Sequence, residues 1–401
     1  MIPAQPHFEW PVITKGTIDA VVRQLGESIS IYDRSGVIDR LESQLEQYLG
    51  VEHAVLMNSG TSAIHAAYVA LDLKPSDEVI VPNYTFFATA TPIFQTGAVP
   101  VFVDCDERGG LDPVAVESAL TSKTKAIVVT HMWGLPAQIN KLSQLARRHD
   151  LVLVEDISHA FGATVDGKPV GSFGDIAVQS LQAQKPLNGG EGGVFYTRNS
   201  EYFYRAISIA HYNKRCKNEI PDSHPLAEYA LTGFGLKWRI HPIAAAIVEQ
   251  QLSEFSGVLA GRNRVAQYIA EAVSCLKGVD VILPREGETS SWYALLLNFD
   301  LELLGLGDVS DIEKAFAALG ATEIEAPNST RPLTEIPLFG RPEGVYHQYS
   351  GSHASYDQPH PNCTSIRDRV LKLPVWHRDQ DMEIVKWYVD CILRVAKSLD
   401  N

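Results

Sequence analysis

Short apolar runs separated by helix-length segments constrain the fold of this chain more than any other feature of its sequence. Five runs rich in β-branched residues lie between residues 53 and 158, and they read HAVLM, EVIVP, VPVFVD, KAIVVTH and LVLVEDIS. Strands that are apolar throughout are buried on both faces, which is typical of a parallel sheet covered by helices. The pattern therefore predicts an α/β fold with a mainly parallel sheet. Ligands of such sheets bind beyond the carboxyl ends of the strands.

After residue 240 the pattern changes and predicts a smaller α+β domain. Its segments are a long helix from Pro242 to about Leu276, a strand from Ser291 to Phe299, a helix from Asp311 to Leu319, a loop-rich stretch over 327–362 and a closing helix from Asp381 to Ser398. We expect an N-terminal arm with helices over 1–45, a large domain over 46–250 and a small C-terminal domain over 251–401.

Composition excludes several classes of partner. The 401 residues are 45% hydrophobic, and 34 Lys and Arg face 48 Asp and Glu, for a net charge of −14. This acidity argues against binding to nucleic acid or to an anionic membrane. The first residues carry charges and prolines where a signal peptide would be apolar, and no run is long enough to span a bilayer. The five cysteines show no metal-ligand spacing, so we expect reduced thiols, no metal site and a cytoplasmic location.

The segment Asn58-Ser59-Gly60-Thr61-Ser62 lies between a predicted strand and a predicted helix. Free N–H groups at a helix start bind anions, and Gly60 would let a phosphate approach the backbone. The alternative is an ordinary capped helix, with Ser59, Thr61 or Ser62 as the cap.

Two further segments carry groups suited to catalysis. Asp156 ends the run LVLVED, where a carboxylate stays ionised most readily beside a cation, and His159 follows it. Lys185 follows Ser180 and precedes the glycine-rich segment NGGEGG, so a crevice could desolvate its amine and make it a nucleophile. The alternatives are a capping Asp156 beside an ordinary polar His159, and a solvated Lys185.

Together, an anion site, an acid and an amine match what pyridoxal phosphate requires. The sequence resembles the DegT/DnrJ/StrS aminotransferases of sugar and cyclitol biosynthesis from about Glu42 to the closing helix. The segments that carry the resemblance are NSGTSAIHAA, DEVIVPNYTFFATATPI, VFVDCD, VLVEDISHAFGA, SLQAQKPLNGGEGGVFYT and KWRIHPIAAAI. The resemblance implies the fold type I of pyridoxal-phosphate enzymes, with a seven-stranded sheet between helices in the large, cofactor-binding domain.

The resemblance also implies a role for each matching residue. Lys185 would form the Schiff base with the cofactor and move the proton, and Asp156 would hold the pyridine nitrogen protonated. His159 would reach the phenolic oxygen of the ring or lie near it, and Phe86 would stack on the ring face. The phosphate would be held by Ser59, Gly60, Thr61 and Ser180.

The chain departs from the family pattern at two of these segments. Lys237 stands where many members have an Asn that crosses to the phosphate of the partner subunit, so it would either reach that phosphate or pair with a carboxylate at the interface. Pro186 follows the lysine, where the family usually has a residue with an N–H. Weaker candidates are Trp133 and Gly134 at the edge of the substrate pocket, and Arg331, His347, His353 and His377 as contacts to a carboxylate or hydroxyl.

The resemblance implies a homodimer that transfers an amino group from glutamate or glutamine to a nucleotide-linked keto sugar or a keto-cyclitol. Two other classes stay open: a dehydratase or lyase using the same cofactor and fold, and a regulatory or binding homologue without turnover. Lys185 disfavours the dehydratase branch, where a histidine replaces it. A DNA-binding regulator would need a basic segment, which the chain lacks.

Overall fold

The structure, a computed structural model, describes residue 3, residues 6–349 and residues 359–399. The strands of these residues are β1 His53–Met57, β2 Glu78–Pro82, β3 Tyr84–Thr85, β4 Val99–Val103, β5 Thr124–Thr130, β6 Val152–Asp156, β7 Thr164–Val165, β8 Lys168–Pro169, β9 Ile176–Ser180, β10 Gly193–Thr197, β11 Val279–Val281, β12 Glu288–Thr289, β13 Leu295–Phe299, β14 Arg331–Pro332 and β15 Val370–Leu373. The α-helices are α1 Lys15–Glu27, α2 Gly36–Leu49, α3 Gly60–Ala70, α4 Ile93–Thr96, α5 Pro113–Ala119, α6 Ile139–Arg148, α7 Ser200–Ala210, α8 Lys214–Glu219, α9 Pro242–Val273, α10 Leu301–Leu304, α11 Ser310–Ala318, α12 Pro337–Gly340, α13 Pro361–Arg369 and α14 Met382–Leu399.

A seven-stranded sheet lies at the centre of the larger part of the described chain, in the order β1-β10-β9-β6-β5-β2-β4. The five strands from β9 to β4 are parallel, whereas β10 pairs antiparallel with both β9 and β1. The predicted mainly parallel seven-stranded sheet is confirmed, and all five apolar runs form its strands. The run HAVLM nevertheless lies at an antiparallel edge, because β9 and β10 are joined by a loop without a crossover helix.

Helices bury both faces of this sheet, as the apolar strands predict. On one face, α2, α6 and α9 contribute Leu41, Leu142 and Val248 to a fully buried core. On the other face, α3 and α7 contribute side chains such as Ile64 and Ile207. Polar ligands can therefore approach the sheet only at the ends of its strands.

The C-terminal part has its own three-stranded sheet, β11-β13-β15, packed against α11, α14 and the second half of α9. One continuous helix of 32 residues, α9, places Val248 in the core of the large sheet and Val265 in the smaller core. The predicted boundary at residue 250 falls inside this helix, and the division into domains stays a proposal.

Two predicted elements differ from the structure. The sequence from Phe86 to Gln95 is also helix-like and predicts one helix, but it forms a single 3₁₀ turn and the short α4, because Pro92 cannot continue a helix. The predicted strand from Ser291 starts only at Leu295, because Ser291 and Trp292 bond elsewhere: the Ser291 N–H donates to the carbonyl of Gly134, and Trp292 has a φ of 53°.

No α-helix of the described residues is both long and apolar enough to cross a bilayer.

Candidate active site

A cavity of about 460 Å³ opens at the carboxyl ends of three neighbouring parallel strands. Thr130, Asp156 and Ser180 are the last residues of β5, β6 and β9, and all three line the cavity. Thr130 pairs with Asp156 in the sheet register, so the two side chains leave the sheet at the same level. The polar residues that follow the apolar runs are thus brought together where the parallel sheet predicts a ligand.

Asp156 is buried and held by two hydrogen bonds. Its Oδ2 accepts from the hydroxyl of Thr89 at 3.1 Å, and its Oδ1 accepts from the N–H of Ser158 at 3.0 Å. The hydroxyl of Thr85 lies 3.2 Å from that of Thr89 and donates to Thr130 at 3.1 Å. These contacts orient a carboxylate that faces the cavity, while its neighbour in the strand, Glu155, points to the opposite side.

Glu155 has a structural role that explains its burial. Its carboxylate accepts N–H groups from Gly171, Phe173 and Gly174 and lies 3.1 Å from the ring Nε2 of His131. Every oxygen of this carboxylate is therefore engaged within the fold, and of the Glu155-Asp156 pair only Asp156 is available to a ligand.

Lys185 extends from the loop between β9 and β10 into the same cavity. The loop is fixed because Asn188 donates to the carbonyl of Lys185 at 3.2 Å and exchanges two hydrogen bonds with Gln251 of α9. Gly189 permits this approach, since a Cβ there would lie 2.8 Å from the carbonyl oxygen of Ala244. Burial lowers the pKa of the Lys185 amine from its ordinary 10.5 to about 8, although the Asp156 carboxylate acts to raise it.

His159 lies beside these groups with its ring stacked on that of Tyr293. The ring centroids are 3.8 Å apart and the planes differ by 7°, and the amine of Lys185 lies 4.9 Å from the centroid of the Tyr293 ring. Burial, together with the positive charges of Lys185 and Lys372, holds the pKa of His159 well below its ordinary value. The imidazole is therefore neutral, and its buried Nδ1 has no hydrogen-bond partner among the described residues.

The start of α3 forms the opposite end of the cavity. Ser59 caps the helix by accepting the N–H of Ser62 at 3.0 Å. The capped helix given above as the alternative is therefore present. Capping leaves the N–H groups of Gly60 and Thr61 without acceptors inside the helix. A Cβ at Gly60 would lie 2.6 Å from that of Ser180, so the hydroxyl of Ser180 is brought close to the helix start. Anion binding and capping are thus compatible here.

Of the remaining predicted residues, some line the cavity and others lie elsewhere. Phe86 and Trp133 line it, and the Trp133 ring lies 5.8 Å from that of His159. Lys237 is exposed beside Tyr32 and Arg239 in a separate cavity, so its contact with a phosphate across a dimer interface stays a prediction. The weaker candidates Arg331, His347 and His377 do not line the active-site cavity, and His353 lies outside the described residues.

Two of the cysteines meet in the fold although they are distant in sequence. Cys105 and Cys363 are fully buried, and their sulfur atoms and a carboxylate oxygen of Asp104 lie within 4.8 Å of one another. The expectation of no metal site rested on sequence spacing, which does not reveal this cluster. Asp104 has a structural explanation, since it accepts the N–H groups of Asn362 and Cys363 at the start of α13.

The side chains of this cavity fit pyridoxal phosphate. Asp156 offers a carboxylate for a protonated ring nitrogen, and the unpaired Nδ1 of His159 needs a polar partner that a phenolic oxygen would supply. Lys185 offers an amine of lowered pKa for an aldehyde. The helix start at Gly60 offers N–H groups for a phosphate.

Sequence patterns missed several residues of the cavity. Tyr293, Ser329, Thr330 and Lys372 come from the C-terminal part and line the wall opposite the sheet. A signal for Lys372 was present, because Val370–Leu373 reads as a strand in which a lysine alternates with leucines. Thr89 could have been found from the spacing of Thr85 and Thr89, which places both hydroxyls on one side of a turn.

Comparisons with known proteins agree with the predicted family. A family model described as the DegT/DnrJ/EryC1/StrS aminotransferase family matches residues 13–386. The L-glutamine:2-deoxy-scyllo-inosose aminotransferase of Streptomyces kanamyceticus is 33% identical over 352 residues, which cover 84% of this chain and 80% of that protein. The UDP-N-acetyl-3-dehydro-alpha-D-glucosamine 3-aminotransferase of Acidithiobacillus ferrooxidans is 30% identical over 348 residues, covering 86% and 85%.

A solved structure extends the agreement to the fold. The aminotransferase of Psychrobacter cryohalolentis has a TM-score of 0.86 at 26% identity, covering 99% of this chain and 100% of its own. The predicted fold type I is confirmed, and the predicted family and its dependence on pyridoxal phosphate are confirmed as well. The chain belongs to the DegT/DnrJ/EryC1/StrS family of aminotransferases.

Proposed function

We propose that this protein transfers an amino group from glutamate or glutamine to the ketone of a nucleotide-linked sugar or of a cyclitol. The observation that carries the proposal is the enclosed amine of Lys185, which lies in one cavity with the carboxylate of Asp156 and the neutral ring of His159. Both acceptor classes occur among the named relatives, one a cyclitol enzyme and another a nucleotide-sugar enzyme.

Lys185 has the properties of a group that both attacks a carbonyl carbon and carries a proton. With a pKa of about 8, about a tenth of its amine is neutral near pH 7 and can act as a nucleophile or base, far more than for an ordinary lysine. Pyridoxal phosphate, when bound, supplies an aldehyde that exchanges amines and a ring that accepts electrons. Lys185 would then accept a proton from the donor carbon in the first half-reaction and deliver a proton to the acceptor carbon in the second.

Asp156 and His159 would orient the ring and fix its protonation. The carboxylate of Asp156 accepts hydrogen bonds from Thr89 and Ser158, and it would favour a protonated ring nitrogen. His159 is kept in place by Tyr293 and by Ser291, whose hydroxyl donates to the His159 carbonyl at 2.7 Å. Its neutral Nδ1 would hydrogen-bond to the phenolic oxygen of the ring.

The experiment combines a spectrum with a substrate panel. Purified protein with pyridoxal phosphate should show a visible absorption band that is lost on adding glutamate or glutamine. It should then aminate one member of a panel of nucleotide-linked keto sugars and keto-cyclitols. Lys185→Ala should lose turnover by several orders of magnitude, because its side chain offers neither nucleophile nor base.

Each outcome separates the competing classes. A spectrum that no amino acid changes would favour a binding or regulatory homologue, and loss of water or cleavage of the substrate without amination would favour a dehydratase or lyase. Transamination by Lys185→Ala at the wild-type rate would overturn the proposed role of this lysine.

We further propose that the enzyme acts as a homodimer. Ile18, Val22 and Leu25 lie at helical spacing on α1 and are 54 to 61% exposed, while its other face packs on α9. A second copy covering this apolar row would remove it from water. Lys237 lies outside the cavity of its own chain and could then contribute to the cavity of the other. The cytoplasmic location stays a prediction.

A further inference from the structure

A second cation, Lys372, lies in the wall of the active-site cavity on the side of the C-terminal sheet. Among the described residues, Lys185 and Lys372 are the only Lys or Arg side chains that line this cavity. Lys185 is committed to the reaction, which leaves Lys372 without a role in the proposed function.

The backbone fixes Lys372 firmly. It lies in β15, where it pairs with Leu296 on one side and forms a bridge to Glu325 on the other. Its N–H donates to the Glu325 carbonyl at 2.8 Å, and its own carbonyl accepts from the Glu325 N–H at 3.1 Å. Leu371 and Leu373 are fully buried in the smaller core, so the alternation of the strand turns the Lys372 side chain to the other face, toward the cavity.

The charge of Lys372 acts at the reacting groups. Lys372 lines the same cavity as His159 and Lys185. Burial is the main cause of the lowered pKa of His159, and the charges of Lys185 and then Lys372 add to it. An anion that binds Lys372 would therefore lie near the centre of the reaction, and not in a remote groove suited to a nucleotide. The α-carboxylate of an amino acid meets this condition, because it lies one bond from the carbon that carries the reacting amine.

A carboxylate already contacts this lysine. The Lys372 ammonium donates to the carboxylate of Glu325, whose side chain is 48% exposed, whereas that of Lys372 is 28% exposed. Glu325 can turn out to water at little cost, and surface ion pairs of this kind contribute little stability. Exchanging one carboxylate for another spares the desolvation that pairing a fully hydrated lysine would require.

We propose that Lys372 binds the α-carboxylate of the amino-acid donor, and that Lys372 forms an ion pair with Glu325 while no donor is bound. The inference rests on the proposed aminotransferase function and deepens it by naming the donor-binding residue. Because glutamate and glutamine share the α-carboxylate, the site would serve both donors equally.

The two half-reactions separate this role from others. We would follow the loss of the visible band in single turnovers with glutamate or glutamine alone, and the second half-reaction with the keto acceptor alone. Lys372→Gln should raise the donor concentration for half-maximal rate about tenfold or more for both amino acids, with a much smaller change in limiting rate. Lys372→Arg should restore most of the affinity, and Glu325→Gln should lower the half-maximal concentration because a competing carboxylate is removed.

A second readout does not depend on turnover. Calorimetry should detect binding of glutarate, a dicarboxylate without a reacting amine, to the wild-type holoenzyme and much weaker binding to Lys372→Gln. Lys314→Gln provides the matched control, since Lys314 pairs with Asp311 on the exposed side of α11 and its side chain is 75% exposed.

Three results would overturn the inference. These are an unchanged donor dependence in Lys372→Gln, an effect confined to glutamate, and an effect confined to the half-reaction with the keto acceptor. If the wild-type protein reacts with no donor at all, the proposed function fails instead, so the two failures are distinguishable.

Discussion

At the scale of single residues, Lys185 combines a charged group with an apolar setting. Its amine lies over the ring of Tyr293 at 4.9 Å from the centroid, and burial disfavours the ammonium form more than Asp156 favours it. The balance of these two effects sets the reactivity of the amine, and it can be measured in the protein stripped of cofactor.

We expect acetylation of Lys185 by acetic anhydride to reach half its limiting rate near pH 8, because only the neutral amine reacts. In Asp156→Asn the midpoint should move to lower pH, since the lost carboxylate favoured the charged form. Peptide mass mapping measures the rate at each lysine. Lys314, whose pKa is raised by Asp311, is the internal control and should need a higher pH. A Lys185 midpoint at the ordinary 10.5 would contradict the buried setting.

At the scale of elements, the junction between α3 and β9 has no room for a larger residue at Gly60. A Cβ at this position would lie 2.6 Å from the Cβ and 2.9 Å from the Cα of Ser180, and both segments belong to the cavity. One of the two must shift if a methyl group is added. The helix start and the hydroxyl then no longer converge on the same anion.

Gly60→Ala should therefore weaken pyridoxal phosphate binding by about tenfold and lower the free energy of unfolding by about 1–3 kcal/mol, as overpacking does. Absorbance titration measures the first effect and thermal denaturation the second. The matched control is Gly257→Ala in α9, where an added Cβ meets nothing within 4 Å and a small stabilisation is expected. Wild-type cofactor affinity in Gly60→Ala would show that this junction does not hold the phosphate.

The sequence predicts those site residues that lie at the carboxyl end of a strand. Asp156 and Ser180 end strands, and the register of a parallel sheet brings such ends together. Lys372 in the second sheet and Tyr293 just before its strand β13 escape the same reasoning, because no local pattern states how that sheet packs against the first. Trp292, with its positive φ, shows the limit clearly: contacts with the Gly134 turn override the strand that the apolar pattern predicts.

At the scale of the whole molecule, the apolar row on α1 is one feature that a single chain leaves exposed to water. Ile18, Val22 and Leu25 follow one another at helical spacing, so they would meet a partner as one surface. Scattered exposed residues such as Val114 need no such explanation.

Val22→Asp should convert the proposed dimer into a monomer, because a buried carboxylate without a partner would disfavour the interface. Analytical ultracentrifugation measures the mass of the particle. If Lys237 acts across the interface, the amount of cofactor that the purified variant retains should fall as well. Val114→Asp is the control, since Val114 is 72% exposed on α5. A monomeric wild-type protein, or a Val22→Asp variant that stays dimeric, would refute this interface.

The continuous helix α9 has a consequence for building hybrid enzymes. Its first half supports the lysine loop through Gln251 and Asn188, and its second half places Val265 in the smaller core. A chimera joined at residue 250 would combine two parents within one rigid rod and misalign either the lysine or the wall that carries Lys372. Swapping substrate preference between relatives therefore calls for crossover points in the loops that flank this helix.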